Sequence, residues 1–187
     1  MTGDYAPKLA RVITEYSTPI DPGDIVSVFT PIAGLPLAEA VMVAVLKCGG
    51  HPIVNIYSPH LQEIFVREAS DTQLRWSDPH ALHLLDLSDV EIMINAPLNK
   101  TPLGGVAAER YTAFGEGQRE WRTKHLGQLI ADPDFRWVGA PWPTDSFAQE
   151  ANLGLAAFTD YTYRALGLDH EDPVKYWENI RVEQSKL

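Results

Sequence analysis

The segment from Ile25 to Ser58, IVSVFTPIAGLPLAEAVMVAVLKCGGHPIVNIYS, restricts the possible folds of this chain more than any other part of it. It opens on a β-branched and aromatic run, Ile25 to Thr30, and passes through a Pro/Gly turn, Pro31 to Pro36. It continues as Leu37 to Cys48, with Leu37, Val41, Ala44, Val45 and Cys48 at helical spacing. Gly49-Gly50 stops that helix, because glycine takes the left-handed position after a helix without steric cost, and Pro52 to Tyr57 resumes a β pattern. Strand, helix and strand at this spacing predict a right-handed βαβ unit with parallel strands. A run such as IVSVF, apolar with little alternation, fits a strand covered by helices on both faces.

The rest of the chain repeats the alternation. Leu9, Val12, Ile13 and Tyr16 place an amphipathic helix before the first strand, and Leu61, Ile64 and Phe65 share a face of a helix over Pro59 to Glu68. Asp78-Pro79 has the N-cap and N1 signature of a short helix through Leu85. Asp89 to Asn95 reads as the third strand and Phe135 to Ala140 as the fourth, with helices at Val106–Tyr111 and Glu116–Ile130 between them. Helices capped by Thr144, over Leu155–Leu166 and over Val174–Val182 follow, and a charged tail, Arg181 to Leu187, closes the sequence. The expected fold is one α/β domain over residues 1–187. It has a doubly wound, mainly parallel sheet of four or five strands in residues 1–140, helices on both faces, and a helical extension in residues 141–187.

Length and composition narrow the function. A chain of 187 residues buries about 70% of its unfolded surface, so it needs neither disulfides nor metal to fold. Fifteen basic against twenty-five acidic residues give a net charge of -10, which opposes binding to nucleic acid or to an anionic membrane. No apolar run reaches the roughly 18 residues of a membrane span. MTGDYAPKLARV lacks the basic and apolar regions of an export signal, so the expected location is the cytoplasm, where the Asn99-Lys100-Thr101 sequon has no meaning. Cys48, on the apolar helix, reads as a small buried hydrophobe.

Residue by residue, the chemistry is sparse. His80 and His83, one helical turn apart and flanked by Asp78 and Asp86, are the closest approach to a metal pair, but no His-Glu-x-x-His pattern accompanies them and Asp78 is engaged as an N-cap. His51, His60, His125 and His170 are isolated and read as surface or turn residues. The loop Thr30 to Pro36 lies between a strand end and a helix start, where α/β folds hold anions, yet it has a single glycine and no phosphate-binding fingerprint. With Asn95 to Gly105 it could hold a small anionic ligand, the reading of a stand-alone binding module. Arg119, Arg122 and Lys124 read as a solvated helix face, and Trp142, between two prolines, as a packing anchor. There is no nucleophile elbow.

Three stretches taken together resemble a known family. They are Ile20-Asp21-Pro22-Gly23-Asp24, then Val138-Gly139-Ala140-Pro141-Trp142-Pro143-Thr144 with Phe147-Ala148-Gln149, and finally Leu168-Asp169-His170-Glu171-Asp172-Pro173-Val174 with Tyr176-Trp177. They resemble the N-terminal half of the aminopeptidase T (thermophilic aminopeptidase) family of metallopeptidases. The resemblance implies an α/β domain followed by a C-terminal domain that holds two divalent ions of the zinc, cobalt or manganese type. It further implies a peptide substrate and a homodimer in the full-length form. No position here matches the family's ligand motifs, so no catalytic, cofactor-binding or metal residue carries over. The chain is then expected to be a scaffold domain, inactive alone.

Overall fold

The computed structural model describes residues 4–186; Met1 to Gly3 and the tail's last residue, Leu187, lie outside the described residues. The chain enters through α1 (Tyr5–Arg11), which runs on as a π-helical segment over Val12–Ser17. The widening follows from two threonines that bond back onto the helix. The Thr14 hydroxyl donates to the Ala10 carbonyl at 2.9 Å, and Thr18 gives both its N–H (2.9 Å) and its hydroxyl (3.0 Å) to the Ile13 carbonyl.

The predicted βαβ unit is present as β1 (Ile25–Pro31), α2 (Leu35–Cys48) and β2 (His51–Tyr57), joined by a 3-10 turn at Ile32–Gly34. Gly49 ends α2 at φ 84, a left-handed conformation that costs an L side chain energy and glycine none. The helices α3 (Pro59–Glu68), α4 (Asp71–Leu74) and α5 (Pro79–Leu87) lead to β3 (Val90–Asn95). After α6 (Ala108–Gly117) and α7 (Arg119–Ala131) comes β4 (Arg136–Pro141). The unforeseen element is α4, closed by a reciprocal capping box between Ser70 and Gln73.

All pairings are parallel and the strand order is β2-β1-β3-β4. In register, Val54, Val28, Ile92 and Val138 form one row across the sheet. They face a core completed by Tyr5, Leu9 and Ile13 and by Leu37, Val41 and Val45 of α2. Each such side chain removed from water contributes about 1.5–3 kcal/mol.

The opposite face carries α3 to α7 and is less tightly covered. Its small buried cluster is Ala69, Leu74 and Ala113, and Met93 and Trp137 remain 40% and 51% exposed. Helices cover both faces, as the IVSVF run implies, but they sheathe the strands unequally. Ser27, buried on that face, bonds Ser88 at 2.6 Å, so one of the polar residues of β1 is satisfied inside the protein.

The helical extension comprises α8 (Asp145–Glu150), α9 (Leu155–Ala165) and α10 (Pro173–Gln184). It returns to the start of the chain. Lys8 Nζ donates to the carbonyls of Leu168 (2.7 Å) and His170 (3.2 Å), the Tyr5 hydroxyl reaches Thr162, and Trp177 stacks on Tyr16. Leu168 and Val174 belong to the main core, and Trp142 packs edge-on against Tyr5 at 5.4 Å, the anchoring role its position between prolines implies. Among the described residues no helix is long and apolar enough to cross a membrane.

Candidate functional site

In an open parallel sheet the chain reverses its winding direction at one point, and the helices leave a crevice there outside the carboxyl ends of the strands. Here β1 is followed by β2 on one side and β3 on the other, so the crevice falls between β1 and β3. A cavity of about 310 Å³ occupies it, with walls from the segments that leave β1, β2 and β3.

Each wall has a local cause. Pro31, Ile32 and Ala33 follow β1, and Gly34 lets that connection lie against β3: a Cβ there would stand 2.5 Å from Thr30 Oγ1 and 2.7 Å from Ile94 Cγ2. After β2, Ser58 caps α3, its hydroxyl oxygen accepting from the Leu61 N–H at 3.4 Å, while Pro59 takes the first helical position. This places His60 and Glu63 on the cavity, with His60 Nδ1 3.8 Å from Glu63 Oε2 and Arg67 Nε donating to Glu63 Oε1 at 2.9 Å. After β3, Ala96 is buried, and Asn99 Oδ1 accepts from both the N–H (2.9 Å) and the hydroxyl (3.3 Å) of Thr101. Thr144 donates to the Pro97 carbonyl at 2.7 Å and so ties this loop to the start of α8.

The structure thus joins Thr30 to Pro36 with Asn95 to Gly105, the two loops singled out in the sequence. It adds the start of α3, whose Ser58, His60 and Glu63 carried no motif. The signal for them was topological: in a parallel pair the segment after β2 must emerge beside the one after β1. No lysine or arginine lines the cavity, so nothing in the lining singles out the small anionic ligand that the binding-module alternative named.

A second polar group lies under α7. Glu91, on β3, is 2% exposed, and His125 Nε2 stands 2.9 Å from its Oε1. The approach is off the hydrogen-bond direction, and Gln128 Oε1, one turn further along α7, is also buried without a partner among the described residues. Burial pushes the Glu91 carboxyl up from the ordinary glutamate value, and the neighbouring His125 pulls it back. His125 is sandwiched further by Trp121, at 4.7 Å between ring centres, and by the edge of Phe135. The surface or turn placement read from its isolation in the sequence is therefore incorrect for His125. Helical spacing turned it inward beside Trp121, where the buried carboxylate supplies its partner.

The remaining candidates do not converge. His80 and His83 are exposed on α5, Asp78 is bound to the His80 N–H, and Asp86 pairs with Lys124 at 2.5 Å. Arg119 and Arg122 face solvent. Cys48 is half-buried against the core. A catalytic metal requires three or more ligands on rigid elements. Among the described residues no three His, Cys, Asp or Glu side chains come together, and the pairs Glu91–His125 and Glu63–His60 each lack a third member. These residues do not fit a metal centre.

No curated protein matches the sequence. Among solved structures, wild-type AmpT from Thermus thermophilus superposes with a TM-score of 0.68 at 13% identity, a likeness of fold. The match covers 80% of this chain and 38% of AmpT, so the chain spans well under half the length of that relative. A family model described as thermophilic metalloprotease (M29) matches residues 4–187. With nearly every residue inside that match, the chain belongs to the thermophilic metalloprotease (M29) family.

Proposed function

We propose that this chain is the α/β scaffold portion of a metal-dependent aminopeptidase that removes N-terminal residues from peptides in the cytoplasm. Two divalent ions of the zinc, cobalt or manganese type are held by residues outside residues 4–186, and this portion is inactive alone. The observation that supports the division most directly is the pairing of a family match over residues 4–187 with a set of His, Cys, Asp and Glu side chains that never gathers three ligands among the described residues. The unequal cover of the sheet agrees with it: Met93 and Trp137 on the α3 to α7 side, and Leu126 and Ile130 on α7, expose apolar surface that the rest of the enzyme or a second copy would cover.

The experiment is hydrolysis of leucine p-nitroanilide with added zinc, cobalt or manganese. Residues 1–187 alone are compared with the same span inside the longest open reading frame that contains it. Metal-dependent turnover is expected only where residues beyond 187 are present. Turnover by residues 1–187 alone would overturn the division of roles and return attention to the His80 and His83 pair.

A further inference from the structure

We infer that the cavity at the carboxyl ends of β1, β2 and β3 binds a small zwitterion with an apolar side chain, the chemistry of a free apolar α-amino acid. At about 310 Å³ the cavity is at the small end of the roughly 300–1,000 Å³ range of ligand sites. Its apolar lining, Pro31, Ala33 and Ala96, continues outward to Ile32 and Leu98, which stay 56% and 71% exposed. Large apolar groups left in water at the mouth of a cavity are matched by an apolar ligand group.

The polar groups divide by charge. Asn99 Oδ1 is held by two donors from Thr101, which fixes the amide and leaves its Nδ2 hydrogens with no acceptor among the described residues. The Ser58 hydroxyl accepts from Leu61 and keeps its own proton to donate. These are donors for a carboxylate. On the same wall Glu63 gives Oε1 to Arg67 and turns Oε2 toward His60 at 3.8 Å, beyond hydrogen-bond range, so one carboxylate oxygen can still accept from an ammonium. The net charge of -10 and the absence of lysine and arginine from the lining oppose a bare anion, whereas a zwitterion carries no net charge into that field. The site is independent of the peptidase reading, because its occupancy is measured without turnover.

Calorimetric titration of the 187-residue chain with L-leucine, isocaproate and isoamylamine tests the assignment. The two analogues keep the branched side chain and each removes one charge. Leucine is expected to bind, with each analogue weaker by about tenfold or more. Asn99→Asp keeps an oxygen for Thr101 while facing the ligand carboxylate with a negative charge, and is expected to weaken leucine by about tenfold or more. Ala33→Phe fills the cavity and should abolish binding; should that variant not fold, Asn99→Asp, in an exposed loop, keeps the test. The inference is overturned by absence of leucine binding, by leucine binding unchanged in Asn99→Asp, or by isocaproate or isoamylamine binding as tightly as leucine.

Discussion

Replacement of His125 by alanine is expected to destabilise the fold by about 3 kcal/mol at a pH where Glu91 is ionised, the cost of leaving a buried charge without its partner. Glu91 is the charge in question. It lies 2% exposed on β3, with His125 Nε2 2.9 Å from its Oε1. The pH dependence separates this cause from lost packing against Trp121. Burial holds the native Glu91 carboxyl above the ordinary glutamate range, so between the unfolded and the native value the native state keeps a proton that the unfolded chain has released. Stability from this group is therefore full below the unfolded value and is lost as pH rises through the native one. Removing His125 takes away the influence that pulls the carboxyl back down, so the loss steepens at higher pH. Urea unfolding at about pH 5 and about pH 8 should show a clearly larger deficit at the higher value. Glu91→Gln, which removes the charge and keeps the shape, should recover most of the deficit in the double variant. A deficit equal at both pH values, and not recovered by Glu91→Gln, would assign the effect to packing alone.

That pair also marks the boundary of what the sequence could reveal. The βαβ unit was legible because Gly49 stops a helix for a local reason and because Val and Ile runs of strand length have few alternatives. Thr144, Asp78 and Asp172 were legible as helix starts for the same kind of reason, each accepting a backbone N–H within the next three residues. The order β2-β1-β3-β4 is set by contacts between residues far apart in sequence, and no local signal carries it. The cavity follows from that order. Its two loops could be named from their Pro and Gly content, but Ser58, His60 and Glu63 join them only once β2 is known to pair with β1. His125 was misplaced for a related reason: the pattern of α7 is mixed along its length, and only the carboxylate at Glu91, on a strand more than thirty residues away, gives the imidazole a reason to turn inward. The metal ligands implied by the family raise a different question, since no arrangement of the described residues supplies three of them.

Two glycine-to-alanine substitutions, Gly117→Ala and Gly127→Ala, are expected to shift stability in opposite directions. Both glycines lie in helical segments and neither has a positive φ, so backbone conformation does not require glycine at either position. Alanine in a helix is ordinarily favoured over glycine by about 0.5–1 kcal/mol, because glycine loses more freedom on folding. At Gly127, on the exposed side of α7, an added Cβ meets nothing within 4 Å, and Gly127→Ala should gain that amount. At Gly117, the last residue of α6, the added Cβ would collide with the Leu74 carbonyl oxygen and come within 3.1 Å of the Trp76 carbonyl oxygen. Those are main-chain atoms at the end of α4, so no side-chain rotation relieves them, and the two helices must separate. Overpacking of this kind costs about 1–3 kcal/mol, which exceeds the propensity gain, so Gly117→Ala should lower the urea midpoint while Gly127→Ala raises it. The separation would also loosen the small cluster of Leu74, Ala69 and Ala113, which holds α4 and α6 together over the less covered side of the sheet. A midpoint raised in both variants would mean that α4 does not rest on α6 at Gly117. The register of the α3 to α7 layer would then need to be redrawn.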